Sequence, residues 1–253
     1  MHRLSNDTAI QLVAHRGNAR DFPENTLPAF ISALNQGLRF LELDVQLSAD
    51  GVPVVIHDHL LERTAALPGT VFDMRGRDLA LVDACEPARF GERFRGARLP
   101  LLSDVLQLIA DRPDVTLFVE IKQESLRRFG HDQVLARVLE TIKPQRAQCV
   151  VISYDLPAVF RARQISDVAI GWVLEHYDVH SRLKYEALQP EYLFVDHESL
   201  PASGALWRGP WRWVVFEVDT LPLARSLAAR GAQHIETMAV TSMIEGMRDL
   251  SDA

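Results

Sequence analysis

Eight short apolar runs, separated for the most part by longer amphipathic segments, leave this 253-residue chain few folds to choose from. The runs are Gln11–Ala14, Phe40–Val45, Thr116–Ile121, Cys149–Ser153, Val168–Val173, Tyr192–Val195, Trp213–Val218 and Gln233–Glu236. Each has strand length. The segments Leu27–Gln36, Leu101–Ala110, Gln133–Ile142, Leu156–Gln164, His180–Leu188 and Leu221–Arg230 carry apolar residues at i, i+3 and i+4, the helical period. Strands alternating with helices build a parallel sheet, and eight such units in about 250 residues close into a TIM (β/α)8 barrel, an α/β fold. Residues 1–253 are therefore expected to form a single domain. Asn25-Thr26 is expected to cap the first helix, with Pro28 in its first turn. Asp132 is expected to cap the helix from Gln133, and Gly231 to end the one from Leu221.

One run does not fit the count. Val52–Ile56 follows the second strand across Ala49-Asp50-Gly51, a hairpin signal. It is expected to return antiparallel and bring His57 back over the end of that strand. After it, residues 59–99 hold Pro68-Gly69, Gly76, Pro87, Gly91 and Gly96 and show no sustained period. A structureless loop of that length is uncommon in a compact domain. The segment reads as a small insertion over the barrel mouth, after the second strand and its hairpin, in the place of the second barrel helix.

Active sites of such barrels lie at the C-terminal ends of the strands. Here that rim collects His15-Arg16, Glu42 and Asp44, Glu120 and Lys122, Ser153, Glu175, Asp196, Glu217 and Asp219, and Glu236. Loop solvation does not account for Glu42 or Glu120, which sit between apolar neighbours. Side chains alternate in a strand, so Glu42 and Asp44 share a face, as do Glu120 and Lys122. Three converging carboxylates suit a hard divalent cation, Mg²⁺ or Ca²⁺, which prefers oxygen ligands. The alternative is a buried network in which Arg16 and Lys122 pair the carboxylates. No Cys/His cluster of zinc spacing is present. His15 and His57 titrate near neutral pH and are candidates for general acid and base. Arg16 as a fork and Lys122 as a point charge suit a phosphate. Glu24 and Asp58 are candidates to orient these groups or touch the metal, as is Glu217. His2, His131, His176, His180, His197 and His234 have no such company and read as surface or packing residues.

Charge narrows the partners. The chain carries a net −7 with no Lys/Arg run longer than Arg127-Arg128, which argues against nucleic acid or an anionic membrane. An anionic small molecule then needs a local cationic site. No run approaches the length of a membrane span. Met1–Asp7 is polar and Ala9–Ala14 is too short for a signal segment. With two cysteines, Cys85 and Cys149, the expectation is a reducing, cytoplasmic setting.

These motifs together carry a resemblance. Ala14-His15-Arg16-Gly17, Pro23-Glu24-Asn25-Thr26, Glu42-Leu43-Asp44-Val45 and Asp50 through Asp58 resemble glycerophosphodiester phosphodiesterases. Arg98-Leu99-Pro100-Leu101, Glu120-Ile121-Lys122 and Ile152-Ser153-Tyr154 continue the likeness, which is strongest up to residue 123. It implies a TIM barrel with a small insertion after the His57 motif, and hydrolysis of glycerophosphodiesters to glycerol 3-phosphate and an alcohol. It implies His15 and His57 as the acid/base pair, and Glu42, Asp44 and Glu120 as holders of a divalent metal. Arg16 and Lys122 would bind phosphate. The last third departs from the pattern. Phe216-Glu217-Val218-Asp219 stands where many members carry Trp-Thr-Val-Asn, and Glu236-Thr237 where they often carry Thr-Asp. The competing readings are a lysophospholipase D-type phosphodiesterase and a catalytically silent binding protein on the same barrel. The absence of a basic amphipathic stretch favours soluble diesters over lysolipids. Nothing in the pattern speaks to oligomeric state.

Overall fold

A computed structural model describes residues 10–249. The stretch Met1–Asp7, read above as lacking a targeting segment, and His2 within it lie outside the described residues. The strands, in chain order, are β1 (Gln11–Ala14), β2 (Phe40–Leu47), β3 (Pro53–Val55), β4 (Thr116–Ile121), β5 (Cys149–Ser153), β6 (Ala169–Leu174), β7 (Tyr192–Asp196), β8 (Arg212–Phe216) and β9 (His234–Thr237). Eight of them form a closed parallel barrel in the order β1-β9-β8-β7-β6-β5-β4-β2, sealed by β1 against β2. β3 runs antiparallel along β2, Val55 opposite Val45, as the Asp50-Gly51 turn predicts. No described helix is long and apolar enough to cross a membrane.

The period of two sorts side chains into two cores. Inward residues Val13, Phe118, Val150, Ile152, Tyr192 and Phe194 pack along the barrel axis with Val173 and Val214. Outward residues, among them Leu41, Leu43, Leu117 and Val119, pack against the helix ring. His234 belongs to the axial packing, its ring edge-on to Phe40 at 4.7 Å, and burial holds its pKa down at about 4. It is a packing histidine, one of the two outcomes expected of it above.

Five details differ from expectation. The eighth barrel helix, Val240–Asp249, and the helix Gln123–Phe129 were not anticipated. The latter has seven residues, too few to display a period. β8 ends at Phe216, so Glu217 stands just past the strand, at φ 59°. Asp132 lies inside the helix His131–Ile142, which is capped by Gly130, and Asp132 pairs with Arg161 instead. The helix Leu102–Ile109 buries Leu102, Val105 and Ile109 in the barrel's outer core. It is the helix between β2 and β4, so residues 59–99 precede a barrel helix and do not replace one. Those residues form short helical turns around their own apolar cluster, which includes Leu61, Val71, Leu79 and Leu99 with Val54 and Ile56.

Gly171 shows how tightly the axis is filled. A Cβ there would lie 2.9 Å from Ile152 Cγ2 and 3.2 Å from both Phe194 and Tyr192. Gly171→Ala is expected to cost about 1–3 kcal/mol by overpacking, read as a lower midpoint in urea unfolding. An unchanged midpoint would mean that these rings yield freely.

Candidate active site

β1 ends at Ala14, and the chain turns sharply through His15-Arg16-Gly17, with Arg16 at φ 56° and Gly17 at φ 80°. Gly17 is obligatory on two counts. Its φ is left-handed, and a Cβ would stand 2.7 Å from the Ala29 backbone. The turn sends His15 into the barrel mouth and points the Arg16 amide at Glu42 Oε2, 3.1 Å away. Glu42 and Asp44 are successive inward residues of β2, and the register sets Asp44 opposite Glu120. One oxygen from each of Glu42, Asp44 and Glu120 lies within 4.8 Å of the others.

Two cations hold this acidic group. Lys122 Nζ sits 2.8 Å from Glu120 Oε1 and 3.2 Å from Asp44 Oδ1. Arg16 places Nε 3.1 Å from Asp44 and donates Nη1 to Glu24 at 3.1 Å. Burial raises the pKa of Asp44, but Lys122 and Arg16 outweigh it and hold this carboxylate well below its ordinary value. Glu42 shifts the other way, because burial and then the charges of Asp44 and Glu236 push it well up. Burial also raises Glu120, more than Lys122 lowers it. The oxygens thus fit a divalent cation: the donor set is hard, Glu42 Oε1 has no hydrogen-bond partner, and burial pushes Glu42 and Glu120 upward, which an added cation would offset.

His57 arrives from the opposite side. The β2–β3 hairpin carries it back, Ile56 donating its amide to Asp44 O. Ser125 donates to Gln46 Oε1 at 2.6 Å, and Gln46 Nε2 donates to His57 O at 3.0 Å, which fixes the backbone there. His57 Nδ1 meets Asp58 Oδ1 at 2.6 Å, leaving Nε2 as the remaining ring nitrogen. His15 is buried. Burial, then the Arg16 charge, lowers its pKa well below the ordinary imidazole value, so the ring is neutral near pH 7. Both histidines, Arg16, Lys122 and Glu120 line one cavity of about 250 Å³ on the barrel axis. A wider groove of about 600 Å³ opens beside it toward residues 58–63 and shares His57, Glu120, Lys122 and Tyr154 with it.

All ten candidate residues lie at this mouth or one contact from it. Glu217 is half-exposed, its Oε1 3.8 Å from His15 Nδ1. Asp219 is turned away, held by Arg20 at 2.6 Å and by the Thr237 hydroxyl. Three positions at the mouth were given no role in the site from sequence. Asn25, expected as a cap, instead sits at φ 56°, donates to Asp44 Oδ2 at 2.8 Å and accepts the Asp44 amide. Glu236 is buried, its Oε1 3.5 Å from His15 Nε2. Parity with the inward His234 was the available signal. Arg63, inside the aperiodic segment, donates twice to Glu24 (2.7 and 2.8 Å) and through Nε to Asp58 at 2.6 Å. Sequence offered no signal for it. Its guanidinium ties Asp58, behind His57, to Glu24, behind Arg16. The hydrogen bond from Arg63 keeps Glu24 ionised against its burial.

Residues 15–189 match the model of the glycerophosphoryl diester phosphodiesterase family. A glycerophosphodiester phosphodiesterase of Caldanaerobacter subterraneus subsp. tengcongensis is 39% identical over 129 residues, 51% of this chain and 52% of that protein. One from Bacillus altitudinis is 37% identical over 130 residues, again 51% and 52%. The matched stretch thus spans about half the length of these curated relatives. Among solved structures, a phosphodiesterase of Oleispira antarctica in complex with the product sn-glycerol 3-phosphate superposes with a TM-score of 0.82 at 24% identity, covering 94% of this chain and 96% of that one. A glycerophosphodiester phosphodiesterase of Agrobacterium tumefaciens gives 0.73 at 23%, covering 93% and 99%. At that identity the likeness speaks for the barrel fold.

Arg63→Met should leave Arg16, among the described residues, as the one cation hydrogen-bonded to the buried Glu24 and release Asp58. Arg63 is itself half-exposed, so the expected loss is about 1–3 kcal/mol, discounted for solvent screening. Urea unfolding measures it, and Arg63→Lys should recover only part. Equal stability of the methionine variant and the wild type would show the tie to be idle.

Proposed function

Because the chain belongs to the glycerophosphoryl diester phosphodiesterase family, we propose that it hydrolyses glycerophosphodiesters to glycerol 3-phosphate and an alcohol, with a divalent metal. The observation that carries this reading is the pair His15 and His57 on one cavity with Lys122 and the Glu42–Asp44–Glu120 triad. Those three carboxylates would hold Mg²⁺ or Ca²⁺. The metal supplies Lewis-acid stabilisation of charge on oxygen.

The chain's own groups then divide the work. Neutral His15 has a lone pair to accept the proton of the attacking hydroxyl, from water or from the glycerol 2-position. His57, anchored through Nδ1 by Asp58, delivers a proton from Nε2 to the departing alkoxide. Arg16 and Lys122 offset charge on the phosphoryl oxygens. Glu24 and Asp58 orient Arg16 and His57, with Arg63 between them. Residues 59–99 act as a small insertion domain that forms one wall of the mouth. Glycerophosphodiesters are favoured over lysolipids. The net negative charge gives no attraction to an anionic bilayer or nucleic acid. A reducing cytoplasm suits the two free thiols, Cys149 being buried and its pKa pushed up to about 12.

A chelator should abolish turnover of glycerophosphocholine, and Mg²⁺ or Ca²⁺ should restore it. Full activity of metal-free protein would remove the triad from the mechanism. His15→Ala and His57→Ala should each lower kcat by about two to four orders of magnitude with the fold retained by circular dichroism. Near-normal turnover in either variant would discard the acid–base assignment for that residue.

A further inference from the structure

The cavity and the groove that meet at His57 differ in size and lining, and a glycerophosphodiester has two ends to place. The groove is wide and borders the exposed insertion. The axial cavity is small, its far wall made of Ile152, Val173, Phe194 and Phe216. In that wall stands one buried acid, Glu236, 3% exposed. Its Oε2 has no hydrogen-bond partner, and among the described residues the only ion-pair distance to its side chain is the 3.5 Å to His15 Nε2. An orphaned buried carboxyl oxygen is costly unless something in the cavity donates to it. Glu217, at the same end, lies across His15 from it.

We infer that the axial cavity receives the glycerol end of the substrate, and that Glu236 selects it by hydrogen-bonding a glycerol hydroxyl. This rests on the hydrolytic reading above. The invariant part of the substrate takes the small closed site, and the variable alcohol takes the wide open groove. The placement is consistent with the histidine roles. Glycerol lies beside neutral His15, and the alcohol leaves on the His57 side, where the groove begins. A hydroxyl is the fitting donor, because the apolar wall leaves the rest of a three-carbon chain in contact with Phe194 and Phe216.

The test is calorimetric binding of three phosphomonoesters to the Mg²⁺-loaded protein: sn-glycerol 3-phosphate, propyl phosphate, which lacks both hydroxyls, and phosphocholine. Wild type should prefer glycerol 3-phosphate to propyl phosphate. Glu236→Leu should cut that preference about 3–10-fold, the worth of a hydrogen bond. Glu236→Gln, still an acceptor, should keep most of it. An unchanged preference in Glu236→Leu overturns the inference. So does an equal loss for all three ligands, which would place Glu236 at the metal or behind His15. A loss confined to phosphocholine also overturns it, by putting the alcohol in the cavity. In each of these cases wild-type hydrolysis of glycerophosphocholine leaves the functional reading standing. Wild type that neither hydrolyses the diester nor binds glycerol 3-phosphate defeats both.

Discussion

Asp44 lies on the barrel axis, fully enclosed, 3.1 Å from Arg16 and 3.2 Å from Lys122. The rest of the mouth is arranged around keeping that charge. Five buried carboxylates (Glu24, Glu42, Asp44, Glu120 and Glu236) crowd a region whose cations are Arg16, Lys122 and the half-exposed Arg63. Burying like charges together is unfavourable unless each finds a partner. The protein divides the problem. Asp44 and Glu24 are paired and stay ionised, while Glu42, Glu120 and Glu236 are driven upward by burial and by one another. A site with this asymmetry has a standing affinity for added positive charge, which is the physical content of the metal reading.

The same pairing fixes the insertion. Arg63 reaches out of residues 59–99 to Glu24, and Arg89 reaches from the same segment to Ala19 O at 2.7 Å while pairing with Glu86. Both contacts land on the loop between β1 and the first helix, the loop that carries Arg16. The segment's small apolar cluster, packed on Val54 and Ile56 of the hairpin, lies directly behind His57. The two histidines therefore belong to one mechanical unit although they come from different βα units. Displacement of the insertion would disturb both sides of the cavity at once.

Most of the barrel was readable because strands buried on both faces read as short apolar runs, and because closure needs only the count. The shared face of Glu42 and Asp44 followed from parity alone, and so did that of Glu120 and Lys122. What escaped had no period to show. Gln123–Phe129 is too short, Arg63 acts from an aperiodic segment, and Asn25 was masked by the ordinary preference of Asn for helix starts. Asn25 is instead free to accept Asp44's amide because Thr26 takes the cap position, its own hydroxyl bonded to Pro23 O. The end of β8 was misjudged by two residues because Glu217 and Val218 continue its apolar–polar alternation. The left-handed backbone at Glu217 breaks the strand in a way that composition does not reveal.

Fold and chemistry are separable along this chain in a definite sense. The lower layers of the axis are apolar rings and aliphatics that any barrel of this size needs, and Gly171 exists to make room for them. The upper layer is where substitutions can change function without touching that packing. Glu42, Asp44 and Glu120 cluster on one side of the axis, where β2 meets β4. Glu236 and Glu217 come from β9 and the loop after β8 and both converge on His15, with Glu236 also within 4.8 Å of Glu42. A carboxylate there pushes Glu42 upward and also alters what His15 and the cavity face. On the proposed roles the reacting groups are carried by β1, β2, the β2–β3 hairpin and β4, and the last strands reach them through Glu236 and Glu217 at His15.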